Sequence, residues 1–257
     1  MDISVVTLRI SAVILGLALA GFSGSAVPAA DVRAAVAANF TRPAEELGAA
    51  FTVLTGHRVT FSFGATGQLY TQISQSAPFD VLLAADNTRP AQAVSEGHGV
   101  PGTVFTYAIG RVVLYSPSID VTDGAAVLAK GEFNHLAIAD PATAPYGAAG
   151  MEVLQALGLS DLLAPRLVTG ANISQALKFV DSGNAELGFV ALSQVIGKPD
   201  SEVWRVPADG YTPIQQDAVL TVIGEENPAA KAFLAFLRSD EGRAIIESYG
   251  YATASAD

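Results

Sequence analysis

The chain has 257 residues, half of them hydrophobic and 15% charged, with 14 Lys and Arg against 25 Asp and Glu, a formal net charge of −11 and no cysteine. This excludes disorder, which needs low hydrophobicity and many charges, and it excludes disulfides, thiolate metal sites and cysteine nucleophiles. The acidic balance also argues against a nucleic-acid partner, whose phosphates need a basic face.

Residues 1–30 read as a cleaved secretory signal. Arg9 supplies an n-region charge, residues 10–22 form an apolar run, and small residues follow up to Val27-Pro28-Ala29-Ala30. The run is far shorter than the ~20 residues a membrane span needs, and cleavage after Ala29 or Ala30 satisfies the small-residue rule. No cysteine follows it, so no lipid anchor is expected. An exported, unanchored protein belongs in a bacterial periplasm.

The remainder alternates short β-rich runs with helical patterns, as in an α/β fold with largely parallel strands. The expected elements begin with strand 32–37, helix 43–54 ended by Gly56, and strand 58–63. Helix 67–74, buried strand 80–85 and helix 89–96, stopped by Gly97, come next. Two consecutive strands, 103–109 and 111–116, then meet at Gly110 without a helix between them. A second series comes after them: strand 135–138, helices 146–157 and 173–181, and strands 187–191 and 203–206. Strand 217–223 and helices 228–237 and 241–248 end the chain. Two α/β series joined by long strands predict two lobes with a hinged cleft, each a mixed, mainly parallel sheet flanked by helices. Residues 31–109 and 213–257 form the first lobe in this reading, and residues 110–212 the second.

Catalytic signatures are missing. His57, His98 and His135 have no partner spacing for a metal or a triad. Residues 97–102 match G-x-G-x-x-G but leave a helix rather than a strand, and Pro101 interrupts any helix after them, so they read as a turn. The mature chain has no Walker loop and no G-x-S-x-G elbow. No enzyme activity is expected.

Four places share another design, in which a strand ends, small or polar residues come next and a helix begins. They are Ala37-Ala38-Asn39-Phe40-Thr41, Phe63-Gly64-Ala65-Thr66-Gly67, Ala144-Pro145-Tyr146-Gly147 and Gly170-Ala171-Asn172-Ile173-Ser174. The first N–H groups of a helix lack intrahelical partners and carry the positive end of its dipole, so they hold oxyanions without a formal charge. Thr66 and Asn39 add a hydroxyl and an amide donor. Asn, Thr and Gly at helix starts also serve as ordinary caps, so spacing alone names no ligand.

Three segments narrow the choice: residues 34–41, residues 61–70 (Phe-Ser-Phe-Gly-Ala-Thr-Gly-Gln-Leu-Tyr) and residues 77–86 (Ala-Pro-Phe-Asp-Val-Leu-Leu-Ala-Ala-Asp). With residues 139–147, 186–191 and 230–251 they resemble, in order, the periplasmic molybdate-binding proteins of ABC importers. The resemblance covers essentially the whole mature chain and implies the type II periplasmic binding-protein fold. It implies a monomer without cofactor that captures molybdate or tungstate and presents it to an ABC permease of the inner membrane. The family's ligand positions fall on Asn39 with Ala38 beside it, on Thr66, on Tyr146 and on the N–H of Ile173. The metal is then held only as its oxyanion, through these residues and with no direct protein–metal ligand. Many relatives have serine where Asn39 stands, and some have a cleft tyrosine where this chain has Ala191, which leaves Tyr146 as the aromatic contributor.

A proton-free tetrahedral dianion only accepts hydrogen bonds, and the four loops contain no Asp or Glu. Protonated phosphate species need an acceptor and should be rejected. Two other readings stay open: a receptor for sulfate or thiosulfate, and an exported enzyme on the same fold.

Overall fold

The structure, a computed structural model, describes residues 30–253; the expected leader lies outside them. The first half of the chain runs β1 (Asp31–Ala37), α1 (Thr41–Thr55), β2 (Arg58–Gly64), α2 (Thr66–Ser74), β3 (Val81–Leu83), α3 (Thr88–Ser95), β4 (Phe105–Gly110) and β5 (Val112–Tyr115). The middle is α4 (Gly124–Lys130), β6 (Leu136–Ala139), α5 (Pro145–Ala156), α6 (Ser160–Leu163), β7 (Leu167–Gly170), α7 (Ile173–Asp181), β8 (Leu187–Ala191) and β9 (Val203–Arg205). It ends in β10 (Ile214–Leu220), α8 (Pro228–Leu237) and α9 (Asp240–Ser248).

Among the described residues these strands make two five-stranded sheets, ordered β2-β1-β3-β10-β4 and β7-β6-β8-β5-β9. In the first, β1 pairs in parallel with β2 and β3, whereas β10 runs antiparallel to β3 and β4. The second repeats the plan: β6 is parallel to β7 and β8, and β5 is antiparallel to β8 and β9. The expected two-lobed α/β architecture is therefore observed. The chain changes sheet twice, once at Arg111 between β4 and β5 and once between β9 and β10.

Helices shield each sheet. Leu47 and Phe51 of α1, with Phe233 and Phe236 of α8, bury their side chains against β1 and β3. Tyr251 comes after α9, and its neighbour Ala252 bridges Ile109 of β4, which ties the end of the chain to the first sheet. The second lobe packs around Leu114, Leu136, Leu154 and Phe189, and that core takes in Ala37, Ala38, Ala65 and Ala85 from the first lobe. The lobes are thus in apolar contact.

Two elements depart from expectation. The last strand spans Ile214–Leu220 rather than 217–223, because Val222 and Ile223, although apolar, are 46% and 42% exposed beyond its end. Helix α4, the short α6 and strand β7 have no counterpart among the expected elements. Only Gly170 of β7 is buried, so the strand has no apolar alternation to read. Residues 97–102 form turns, with Gly97 and Gly102 at φ 80° and 78°, in keeping with their position after a helix.

Candidate functional site

The four helix starts meet between the lobes around a cavity of about 10 Å³. All five residues named from the sequence, Ala38, Asn39, Thr66, Tyr146 and Ile173, line it. The remaining wall is small or neutral, and no Asp, Glu, Lys, Arg or His contributes to it. A space of this size suits one small ion rather than an extended molecule.

Capping differs among these helix starts. Helices α2 and α5 are capped by Ala65 and Ala144, and neither start has a side-chain cap. Alanine is a poor N-cap, costing about 1 kcal/mol against Ser, Thr, Asn or Asp. Two such starts aimed at one cavity leave donors for something other than the chain. In α5 the first position is Pro145, which has no N–H, so Tyr146 offers the first donor. Asn172 does cap α7, accepting from the Gln175 N–H at 3.1 Å, and this leaves the Ile173 N–H free of it. Among the described residues, the N–H groups of Asn39, Thr66, Tyr146 and Ile173 find no acceptor within the protein.

Thr66 is 1% exposed, and its Oγ1 accepts from the Ala85 N–H at 2.9 Å. That bond occupies a lone pair and orients the hydroxyl, whose proton remains available as a donor. Next to it, the Gly67 N–H donates across the lobes to the Thr143 carbonyl at 3.0 Å. A β-carbon on Gly67 would meet Thr143 Cα and O at 3.3 Å, so glycine permits this close approach.

Acceptors beside the cavity are already engaged. The Ala38 carbonyl accepts from the Thr41 and Ser174 hydroxyls at 2.9 and 3.1 Å. Asn39 O accepts from Ser193 at 2.9 Å and Tyr251 at 3.0 Å. Asp140, the nearest acid in sequence to Pro145, turns to its own loop and accepts from Ala142 N and Thr143 Oγ1 at 3.0 and 3.1 Å.

Two side-chain expectations need correction. The Asn39 amide does not serve the cavity: its Nδ2 donates to Gln216 Oε1 at 2.5 Å and to the Tyr251 hydroxyl at 2.9 Å. What Asn39 offers the cavity is its backbone. The Tyr146 hydroxyl also points elsewhere, lying where a β-carbon on Gly110 would overlap it and beside the Tyr251 hydroxyl. It is buried without a well-formed hydrogen bond, and burial holds its pKa well above the ordinary tyrosine value. Sequence reading missed Gln216, Ser193 and Tyr251. For Gln216 the signal was the polar run Gln215-Gln216-Asp217 within strand β10, and a β-bulge at Gln216/Asp217 lets the last two be buried.

Comparison with known proteins agrees with this geometry. Residues 32–252 match the model of the bacterial extracellular solute-binding protein family. The chain is 55% identical to the molybdate-binding protein ModA of Rhodobacter capsulatus over 96% of this chain and 97% of that one. It is 50% identical to the ModA of Azotobacter vinelandii, covering 90% and 94% of the two chains. The solved periplasmic molybdate-binding protein of Azotobacter vinelandii superposes with a TM-score of 0.84 at 39% identity, over 87% of this chain and all 100% of that one. With a family match spanning both lobes and the site between them, this chain belongs to the bacterial extracellular solute-binding proteins.

Proposed function

We propose that this protein is a periplasmic receptor that captures molybdate, and tungstate with it, and delivers it to an ABC permease of the inner membrane. It is a solute carrier and not an enzyme, and the oxyanion is its cargo rather than a cofactor. The observation that carries the reading is the convergence of four helix starts, with donors unspent, on a cavity whose wall bears no ionisable acid or base except a tyrosine. The N–H groups of Asn39, Thr66, Tyr146 and Ile173 and the Thr66 hydroxyl are the donors in this reading, with Ala38 packing beside them.

Such a shell replaces the hydration of a dianion by fixed dipoles, each already oriented by the fold. Discrimination comes from the engaged acceptors. Hydrogen phosphate carries a proton that needs an acceptor, and the Ala38 and Asn39 carbonyls beside the cavity are each taken by two hydroxyls. Leaving a buried donor unmatched costs about 1–3 kcal/mol, roughly 5- to 150-fold in affinity. Sulfate matches the charge and shape, so its rejection rests on cavity size. Donors from both lobes also explain signalling: one small anion favours the closed arrangement, in which the two lobe surfaces face a permease together. The protein acts as a monomer, carrying one ion.

Titration calorimetry of the mature chain with molybdate, tungstate, sulfate and phosphate tests this. Tight binding of the first two, with sulfate far weaker and phosphate undetected, is expected. Sulfate or phosphate binding as tight as molybdate overturns the assignment.

A further inference from the structure

Behind the anion cavity lies a second polar cluster, buried and built from both lobes. Asn39, Ser193, Gln216 and Tyr251 are 3%, 3%, 0% and 6% exposed. Asn39, Gln216 and Tyr251 belong to the first sheet and the segments tied to it, whereas Ser193 comes just after β8 of the second sheet. The Tyr251 hydroxyl is the hub. It accepts from Asn39 Nδ2 at 2.9 Å and lies 2.9 Å from Ser193 Oγ and 3.0 Å from the Asn39 carbonyl, with its single proton shared between them. Ser193 Oγ in turn donates to the Asn39 carbonyl at 2.9 Å. Phe40 packs edge-on against the Tyr251 ring, centroids 5.3 Å apart, and fixes the hydroxyl's position.

We propose that Ser193 latches across the lobes onto the Tyr251–Asn39 pair, with Ser193 and Tyr251 acting as positioning residues, so that the anion-facing backbone of Asn39 is held from both lobes only when they are closed. This rests on the oxyanion-receptor reading and deepens it. Asn39 is gripped from behind on two groups: its N–H faces the cavity, and its carbonyl and amide are engaged by Ser193, Tyr251 and Gln216. An anion pulling on that N–H and a serine from the opposite lobe pulling on the carbonyl therefore act on the same residue. When the lobes part, Ser193 leaves and water takes its place.

Two features keep the latch from locking the lobes without ligand. A hydrogen bond that replaces one to water has a small net worth. The Tyr146 hydroxyl and the Gln216 amide nitrogen, both beside the hub, are buried without a partner, so closure itself carries a desolvation cost that the anion must offset. The hub stays a donor throughout, because burial, opposed by its hydrogen-bond partners, pushes the Tyr251 pKa up to about 12.

The test is a double-mutant cycle on the mature protein with Tyr251→Phe and Ser193→Ala, both of which keep the packing of the site. Inorganic molybdate is the probe, and sulfate a second one. Each single variant should bind about tenfold more weakly, with the loss in the dissociation rate measured by stopped flow. The double variant should bind within about twofold of the weaker single one, since both substitutions open the same triangle. Small-angle scattering should show the variants compacting less at half-saturating molybdate than the wild type, with an unchanged ligand-free melting temperature for Ser193→Ala, whose bonds cross the lobes. Unchanged dissociation rates, additive losses, or a Ser193→Ala loss matched by a lowered ligand-free melting temperature overturn the latch. A wild type that prefers sulfate overturns the molybdate assignment alone, and the same cycle is then read with sulfate. A wild type that binds neither anion overturns both.

Discussion

Two of the cavities among the described residues lie between the lobes, and the smaller one is the candidate site. The larger holds about 590 Å³ between residues 85–89, residues 141–149 and the second crossover at residues 212–215, and its wall carries Asp86, Arg89 and Glu152. Its polar groups serve the chain itself. Asp86 accepts from the Arg89 N–H at 2.8 Å, Glu152 from the Thr212 N–H at 2.6 Å, and the Arg89 guanidinium donates to Gln92 at 2.7 Å. Burial raises the Asp86 pKa despite the Arg89 contacts, so this carboxylate gains little from its surroundings. The smaller cavity has no charge and little room, yet its donors point inward unspent. The two share Ala85, Ala144 and Pro145 as common wall. In the proposed reading, recognition of a small dianion rests on donors that the fold leaves without partners, and neither volume nor formal charge is a guide to it.

That contrast is most directly broken at Thr66. Thr66→Val keeps the shape but removes the hydroxyl, which costs one hydrogen bond to a charged ligand and strands the Ala85 N–H that it satisfied. A hydrogen bond to a charged group contributes about 1.5–3 kcal/mol, so molybdate affinity should fall about 100-fold by calorimetry, while Thr66→Ser stays within about threefold of wild type. If Thr66→Val binds normally, the shell of neutral donors is not what holds the anion. A smaller effect of opposite signs sits next door. Gly67→Ala places a methyl group 3.3 Å from Thr143 across the lobes, so closure is hindered and affinity should drop about tenfold. Alanine also suits a helix better than glycine by up to about 1 kcal/mol, so the ligand-free melting temperature should hold or rise. A loss of both affinity and ligand-free stability would locate the defect in the fold rather than in closure.

The two regions were unequally legible in the sequence. The donor loops could be read because their signal is local: small residues end a strand, and a helix begins within a few positions, as at Gly64-Ala65-Thr66. The direction of each side chain could not. Asn39 looked like an amide donor for the anion, but its amide partners lie 177 and 212 positions away, at Gln216 and Tyr251. Nothing local to residue 39 says that they fold against it. Tyr146 does stand at a helix start, yet its hydroxyl runs toward Gly110, where the chain passes between lobes. Strand β10 was displaced for a related reason. Val222 and Ile223 extend its apolar run in sequence, whereas the bulge that buries Gln216 and Asp217 is set by pairing with β4 and leaves no trace in hydropathy.

The smallest expected effect is the sharpest test of charge against dipoles. Arg42 is the one cation adjoining any of the four loops, and a site that bound its dianion by formal charge would need it. Arg42 is instead exposed near the start of α1, with its guanidinium 5.4 Å from the centre of the Tyr249 ring, whose hydroxyl bonds Glu46 at 2.6 Å. Its charge is therefore hydrated and partly offset by a neighbouring carboxylate, and at physiological salt exposed charges are screened within about 8 Å. A basic residue in the first turn also opposes the helix dipole slightly, so α1 does not depend on it. Arg42→Ala should change molybdate affinity by less than about twofold, and raising the salt concentration should not widen the difference. An Arg42→Ala loss greater than that of Thr66→Val would mean that a long-range charge, and not oriented N–H and O–H dipoles, holds the ion.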